Sequence, residues 1–318
     1  MKKSFTSIAS LGLLSAAAFA GTVVTDTAAP APVASSDGFA QARRPISNPT
    51  LFDLALPTTN VHPIYMFHRL PDSVSIAGGK SVDLGGDVQL FAVQAEFAIN
   101  ERLSIVATKD GYVDMNFEDT FGDEEGLANL GAGLKYAFIL DPASGTAVSG
   151  SATFEVPTGS DDVLQGEGNG AVNLIVSGLK MVDAWQFAGG AGLQIPFSDE
   201  QATEGWISAH ASYEVCKWFI PLVEVNWFHV LDSGDGVGNF PDYLGGALPG
   251  AINFEGGDLF NLGATHAGEN RDFVSAAFGF RSRLTDCVDV GAAYELPLTE
   301  NESSLMQDRL TVDLIWKF

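Results

Sequence analysis

Ser208, His210 and Ser212 put two hydroxyls and an imidazole at alternate positions of one short stretch, the residue types from which a nucleophile and its base are made. On a strand all three would face the same way, yet neighbours two apart are separated by about 7 Å at Cα, too far for most nucleophile–base contacts. No third group is placed to orient the imidazole, so no catalytic residues are assigned and an enzyme is not expected. The carboxylates suggest different chemistry. They cluster as Glu118, Asp119, Asp123, Glu124 and Glu125, as Asp161, Asp162 and Glu167, as Asp199, Glu200 and Glu204, and as Glu300 and Glu302. A further set, Asp232, Asp235, Asp242, Glu255, Asp258 and Glu269, lies in one long stretch. Such clusters can hold Ca²⁺ or Mg²⁺ loosely, draw cations to an opening, or simply stay hydrated. Asp232-Ser233-Gly234-Asp235-Gly236 lacks the ligand spacing and final Glu of a calcium-binding EF-hand loop, so no dedicated metal site or cofactor is expected.

Strands must position these groups. In residues 308–318, Leu310, Val312, Leu314, Trp316 and Phe318 share one parity, while Arg309, Thr311, Asp313 and Lys317 take the other with Ile315. A two-residue period marks a strand, and an apolar face ending in two aromatic rings suits a strand between lipid and a watery lumen. An amphipathic strand that stops flush on Phe318 resembles the C-terminal signal of bacterial outer-membrane barrels, and implies the barrel assembly machinery as a partner. The same period recurs over 86–99, 103–115, 127–140, 146–156, 170–180, 184–197, 205–216, 219–231, 271–284 and 288–298, with 61–70 interrupted by Pro63. These are twelve strands, an even number as single-chain bacterial barrels have.

The connections alternate. Residues 100–102, 141–145, 181–183, the corner at Lys217 and 285–287 are short; 116–126, 157–169, 198–204, 232–270 and 299–307 are long. Barrels with short periplasmic turns and long outer loops sort this way, whereas a sandwich has no reason to. The fold expected is all-β, a transmembrane antiparallel up-and-down barrel. Its inward parity carries Gln94, Glu96, Lys135, Glu155, Gln186, Gln194, His210, Glu214, Glu224, Arg281, Arg283, Arg309 and Asp313 as lumen-lining residues. They could form a polar pathway or interlock as a plug of ion pairs. Trp185, Trp206, Trp218, Trp227, Trp316 and Phe318 fall near strand ends, where aromatic girdles sit.

Lys2 and Lys3 precede a short apolar run and the small-x-small site Ala18-Phe19-Ala20, which reads as a signal peptide over 1–20. Residues 21–57 read as a periplasmic leader or cord, disordered through Arg44, and 58–318 as the barrel. Leu51, Phe52, Leu54 and Leu56 give the 43–57 stretch hydrophobics that a cord lining the mouth or an inner plug would use. A formal charge of −24, from 16 basic and 40 acidic residues, argues against nucleic acid as a partner. Cys216 and Cys287 are too few for a disulfide scaffold, and the turns that carry them are too far apart to bridge.

Gly131-Ala132-Gly133-Leu134-Lys135-Tyr136, Phe154-Glu155-Val156-Pro157-Thr158-Gly159 with Ser160-Asp161-Asp162, residues 166–173 and the Gly-rich 187–196 stretch resemble the outer-membrane phenol meta-pathway degradation-like transporter family. The likeness covers about 84–318; Gly166-Glu167-Gly168-Asn169 departs from the Gly-Asp step expected of the family. It implies a bacterial outer-membrane barrel and transfers neither catalytic residues nor a cargo. The expected function is a pore or channel in the outer membrane for passive uptake of small organic solutes, hydrophobic or aromatic ones included. Two alternatives stand beside it: a structural or surface-exposed barrel whose acidic loops bind divalent cations without transport, and a soluble secreted β-sandwich binding protein.

Overall fold

The computed structural model describes residues 37–76, 80–119, 122–166, 168–232, 234, 271–299 and 305–318. The signal-peptide reading and most of the 232–270 connection, with its acidic set from Asp235 to Glu269, lie outside the described residues, as do Glu167, Glu300 and Glu302.

Alternating side chains produce strands β1 (Asn60–Arg69), β2 (Ser73–Ile76), β3 (Lys80–Asp83), β4 (Gly86–Ala98), β5 (Leu103–Lys109), β6 (Tyr112–Phe117), β7 (Glu124–Leu127) and β8 (Leu130–Asp141). They continue as β9 (Thr146–Val156), β10 (Ala171–Val182), β11 (Trp185–Pro196), β12 (Thr203–Tyr213), β13 (Ile220–Asp232), β14 (Asp272–Arg283), β15 (Val288–Pro297) and β16 (Asp308–Lys317). Each wall strand is antiparallel to the next. β1 pairs with both β16 and β4, which closes the ring. The Phe318 N–H donates to the Thr59 carbonyl at 3.0 Å, so the last residue is part of the seam. A single closed sheet excludes the two stacked sheets of a sandwich.

β5 and β6 share the partner β4 and form one wall strand broken at Asp110-Gly111; β7 and β8 likewise form one. Counted so, the wall has twelve strands, each coinciding with one of the alternating stretches of the sequence. At the break, where β4 and β5–β6 lose register, the Asp110 carboxylate accepts the Val93 N–H at 2.9 Å in place of a ladder carbonyl. The β2–β3 ribbon stands apart from the wall as its own two-stranded sheet.

The outward faces are apolar and exposed: Phe91, Val93 and Phe97 on β4, Leu134, Tyr136 and Phe138 on β8, Leu310, Val312, Leu314 and Trp316 on β16. Unbroken wall strands of 10–13 residues suit the ~9–11 that a tilted strand needs to cross hydrocarbon. Rings gather at the short-turn end, with Trp185 4.9 Å from Tyr213 and Trp316 4.8 Å from Phe318. Trp218 and Trp227 are also exposed. Trp206 corrects the girdle reading: it is 2% exposed and faces inward. It shares the parity of Ser208 and His210, and its partner Gly192 leaves room, since a Cβ there would lie 2.3 Å from the indole. Leu140 departs from the two-residue period of its strand. A bulge between Ala137 and Ile139 reverses parity and turns it from the outer face toward the interior.

The Asp141–Gly145 connection is the turn its composition implies. Asp141 Oδ1 accepts the Ala143 and Ser144 N–H groups at 3.1 and 3.3 Å, and Gly145 takes φ +64, where a side chain is strained. Cys216 and Cys287 are both free and exposed.

Candidate functional site in the barrel lumen

Among the described residues, the inward faces do not enclose an open bore. After a 3₁₀ turn at Asp37–Phe39, residues 39–59 enter the lumen at the short-turn end, turn in mid-barrel and come back. The turn is fixed by the Phe52 N–H donating to the Asn48 carbonyl at 2.8 Å. Phe39, Ala42, Leu54, Ala55 and Leu56 pack with Ala147 and Leu179 near the short turns, while Leu51 reaches Trp206, Phe228 and Phe273 higher up. The stretch expected to be disordered through Arg44 is therefore ordered from Phe39 onward inside the barrel, and its hydrophobics, without a period of their own, fill the wall's interior. Inward glycines make the sockets. A Cβ on Gly190 would lie 2.9 Å from the Phe52 ring, and one on Gly291 2.6 Å from Ile46 Cδ1.

Charge holds the segment as firmly as shape. Arg44 pairs with Asp53 at 2.8 Å and Glu96 at 3.1 Å; Lys135 pairs with the same two carboxylates at 2.7 and 2.8 Å. Arg43 and Arg283 share Glu214 at 3.2 Å each. Glu224 accepts the Ile46 and Ser47 N–H groups at 3.0 and 2.7 Å. Arg281 donates to the Arg44 carbonyl at 2.8 Å and pairs with Asp313 at 2.9 Å; Arg309 bridges the Ser47 carbonyl and Glu295. Gln186 bonds both the N–H and the carbonyl of Arg43, at 2.7 and 2.6 Å, and Gln94 donates to the Pro49 carbonyl at 3.1 Å. Burial alone would raise the Asp53 carboxyl, but the Arg44 and Lys135 charges, with hydrogen bonds from Lys135 and Leu54, outweigh it and hold the group below the usual carboxylate range.

All thirteen residues assigned to the lumen by parity have the inward position, most of them buried. The structure places most of them against the inner segment or against partners of opposite sign; Glu155 pairs with Lys109 at 2.6 Å and accepts from Asn129 at 2.8 Å. Gln194, toward the long loops, is half-buried. Of the two arrangements open to them, the described residues take the interlocked one. Parity alone did not single out His62, which bonds Asp313 at 2.8 Å and Gln94 at 3.2 Å, because Pro63 weakened its strand signal. Glu295, alternating with Tyr294 and Leu296, shares the inward position and pairs with Arg309 at 2.6 Å.

Ser212 and His210 also require correction. Their side chains do meet, Oγ to Nε2 at 2.9 Å, and His210 Nδ1 lies 2.7 Å from Glu224. Cα spacing misleads here because side chains on one face lean along the strand. All three are buried and Glu224 is occupied by backbone N–H groups of the inner segment, so the trio anchors that segment.

Toward the long loops one side of the inner wall, on β1, β4 and β6, is apolar. Ile64, Met66, Val88, Ala92, Val113 and Met115 form one cluster, capped by Val163, Leu164 and Leu305 from the connections. Asn129 ties the 157–166 connection inward, its side-chain oxygen accepting the Gly159 and Gly166 N–H groups at 3.0 and 2.9 Å. A cavity of about 30 Å³, room for about one water, lies between Pro49-Thr50 and Ile64, Met66, Leu90 and Ala92. Among the described residues no group of three or more His, Cys, Asp or Glu side chains is placed to hold a metal ion.

A closed antiparallel ring of twelve strands, apolar outside and polar within, defines a transmembrane β-barrel of the cell outer membrane. Among solved structures the chain is similar to an outer membrane channel from Pseudomonas putida F1, with a TM-score of 0.58 and 14% identity over 82% of this chain and 96% of that one. It matches the NanC porin at a TM-score of 0.46 and 8% identity, over 82% of this chain and 100% of that one. It matches the translocator domain of the autotransporter NalP from Neisseria meningitidis at 0.47 and 11%, over 83% and 91%. At these identities the first likeness is one of fold, and the other two carry no argument. No family model and no curated protein sequence matches the chain.

Proposed function

We propose that the protein is a channel, not an enzyme, for passive uptake of small organic solutes, hydrophobic or aromatic ones included, and that residues 39–57 keep it closed. The observation that carries this reading is that the lumen from the short-turn end to mid-barrel is filled by a separable piece of chain and not by the wall's own side chains alone. The segment enters and leaves at the short-turn end and is held only by hydrogen bonds, ion pairs and packing, so it can withdraw to the side it came from. The apolar side of the inner wall on β1, β4 and β6, toward the long loops, supports an apolar or aromatic solute, and the similar fold of a protein described as an outer membrane channel agrees. The Pro157-Thr158-Gly159 connection and the Gly-rich β11 support kinship with the phenol meta-pathway transporter family. The acidic connections would draw cations, and Ca²⁺ or Mg²⁺ would sit there loosely, with lipid as the surrounding partner.

The competing reading, a structural barrel without throughput, is favoured by the same filled lumen. Single-channel recording in planar bilayers separates the two. Resolved openings, with swelling of proteoliposomes in small organic solutes, are expected. A folded protein that never conducts and passes no solute would leave only the structural reading.

A further inference from the structure

Arg43-Arg44-Pro45-Ile46-Ser47 is held as a receptor holds a peptide. Gln186 grips the Arg43 backbone on both sides, and Glu214 and the Ala184 carbonyl take its guanidinium, the latter at 3.3 Å. Glu96 meets the Arg44 guanidinium and Arg281 its carbonyl. Pro45 has no N–H to satisfy. Glu224 then accepts the next two N–H groups, Asn226 donates to Ser47 Oγ at 2.9 Å, Arg309 donates to the Ser47 carbonyl, and Ile46 fills the recess at Gly291. These groups come from β4, β11, β13, β14 and β16, from Ala184 just before β11 and Glu214 just past β12, and Gly291 from β15, so the site belongs to the ring and not to the segment. The fit to the chain's own segment is incomplete: Arg43 is 2% exposed, yet its Nε has no hydrogen-bond partner.

We propose that this part of the lumen is a peptide-binding site for a short, extended, arginine-bearing segment, and that residues 43–47 occupy it in cis. Another basic peptide of the same pattern competes for it from the short-turn side. The channel reading supplies the setting, but the site's chemistry is independent of whether solute flows.

The test uses the full chain carrying Arg43→Ala and Arg44→Ala, which weakens the cis occupant and leaves the wall intact; fast migration of the unheated protein on a detergent gel shows that the barrel is folded. The probe is a fluorescent acetyl-Ala-Arg-Arg-Pro-Ile-Ser-Asn-amide. It is expected to bind this variant saturably by anisotropy in detergent. Binding should weaken at least about tenfold when both peptide arginines are alanine, or when Glu214→Gln and Glu96→Gln are added, as loss of charge-assisted bonds implies. Equal binding of the alanine peptide, or none by the folded variant, overturns the site. The same peptide is expected to block any conductance of the variant from the short-turn side only. Binding without conductance would fault the channel and uphold the site; conductance with no binding would do the reverse. If Arg43→Ala with Arg44→Ala does not fold, Arg43→Gln alone is used with the same readouts.

Discussion

A buried carboxylate that accepts two consecutive backbone N–H groups cannot be removed without taking the acceptor from both. Glu224 is in that position toward Ile46 and Ser47, and it also orients His210. Each stranded group costs about 1–3 kcal/mol, and 1.4 kcal/mol is about tenfold in an equilibrium. With two groups stranded, Glu224→Ala is therefore expected to raise the open fraction of single channels by at least about thirtyfold while the barrel stays folded on detergent gels; an open fraction equal to the parent's would show that this anchor is idle. Asp53 bears on acid. Its carboxyl titrates below the usual range, so its ion pairs with Arg44 and Lys135 are complete above the unfolded value of about 3.9 and are lost only as the pH falls through the lower folded value. Conductance is expected to be flat from pH 7 to about 4.5 and to rise only further into acid, with Asp53→Asn conducting at neutral pH. Opening centred near pH 6 would contradict this.

At the scale of elements, the wall was legible because hydrocarbon and lumen impose opposite demands on successive residues. That is why Lys135, Glu224, Arg281 and Asp313 could be assigned inward from alternation alone. The reading failed where the interior is itself apolar, since alternation equates a ring with lipid: Trp206 was placed outside though its parity matched His210. It failed again at the Ala137–Ile139 bulge, which no composition signal marks. The cord-or-plug reading of 43–57 left the path of residues 39–59 open, because an extended segment surrounded on all sides has no period and its partners lie as far as 262 positions away. The inward glycines are the clue that could have been used. Gly190→Leu or Gly291→Val would drive a side chain into Phe52 or Ile46, and overpacking of this kind costs about 1–3 kcal/mol. Both are expected to loosen the segment and raise conductance. Gly189→Ala, on the outward parity with its nearest neighbour 3.6 Å away, is the control and should leave conductance unchanged. If all three behave alike in bilayers, the sockets do not hold the segment.

For the whole molecule, closure and content are separate questions. The ring closes through β1, which pairs on both sides, and through the Phe318–Thr59 bond, so deletion of Phe318 is expected to lower the amount of heat-modifiable barrel in the outer membrane severalfold. An unchanged amount would show that residues 308–318 assemble without their terminal ring. Passage depends instead on whether the inner segment can leave. Ser47 Oγ and Asn226 Nδ2 are 2.9 Å apart, one on the segment and one on the wall. With Cys216→Ser and Cys287→Ser, cysteines at these two positions can be joined by a short reducible bis-thiol linker, and single channels recorded before and after reduction. The account predicts no openings while the linker is intact and openings once it is cut. Equal conductance in the two states would contradict it, because solute would then be passing a segment that has not moved.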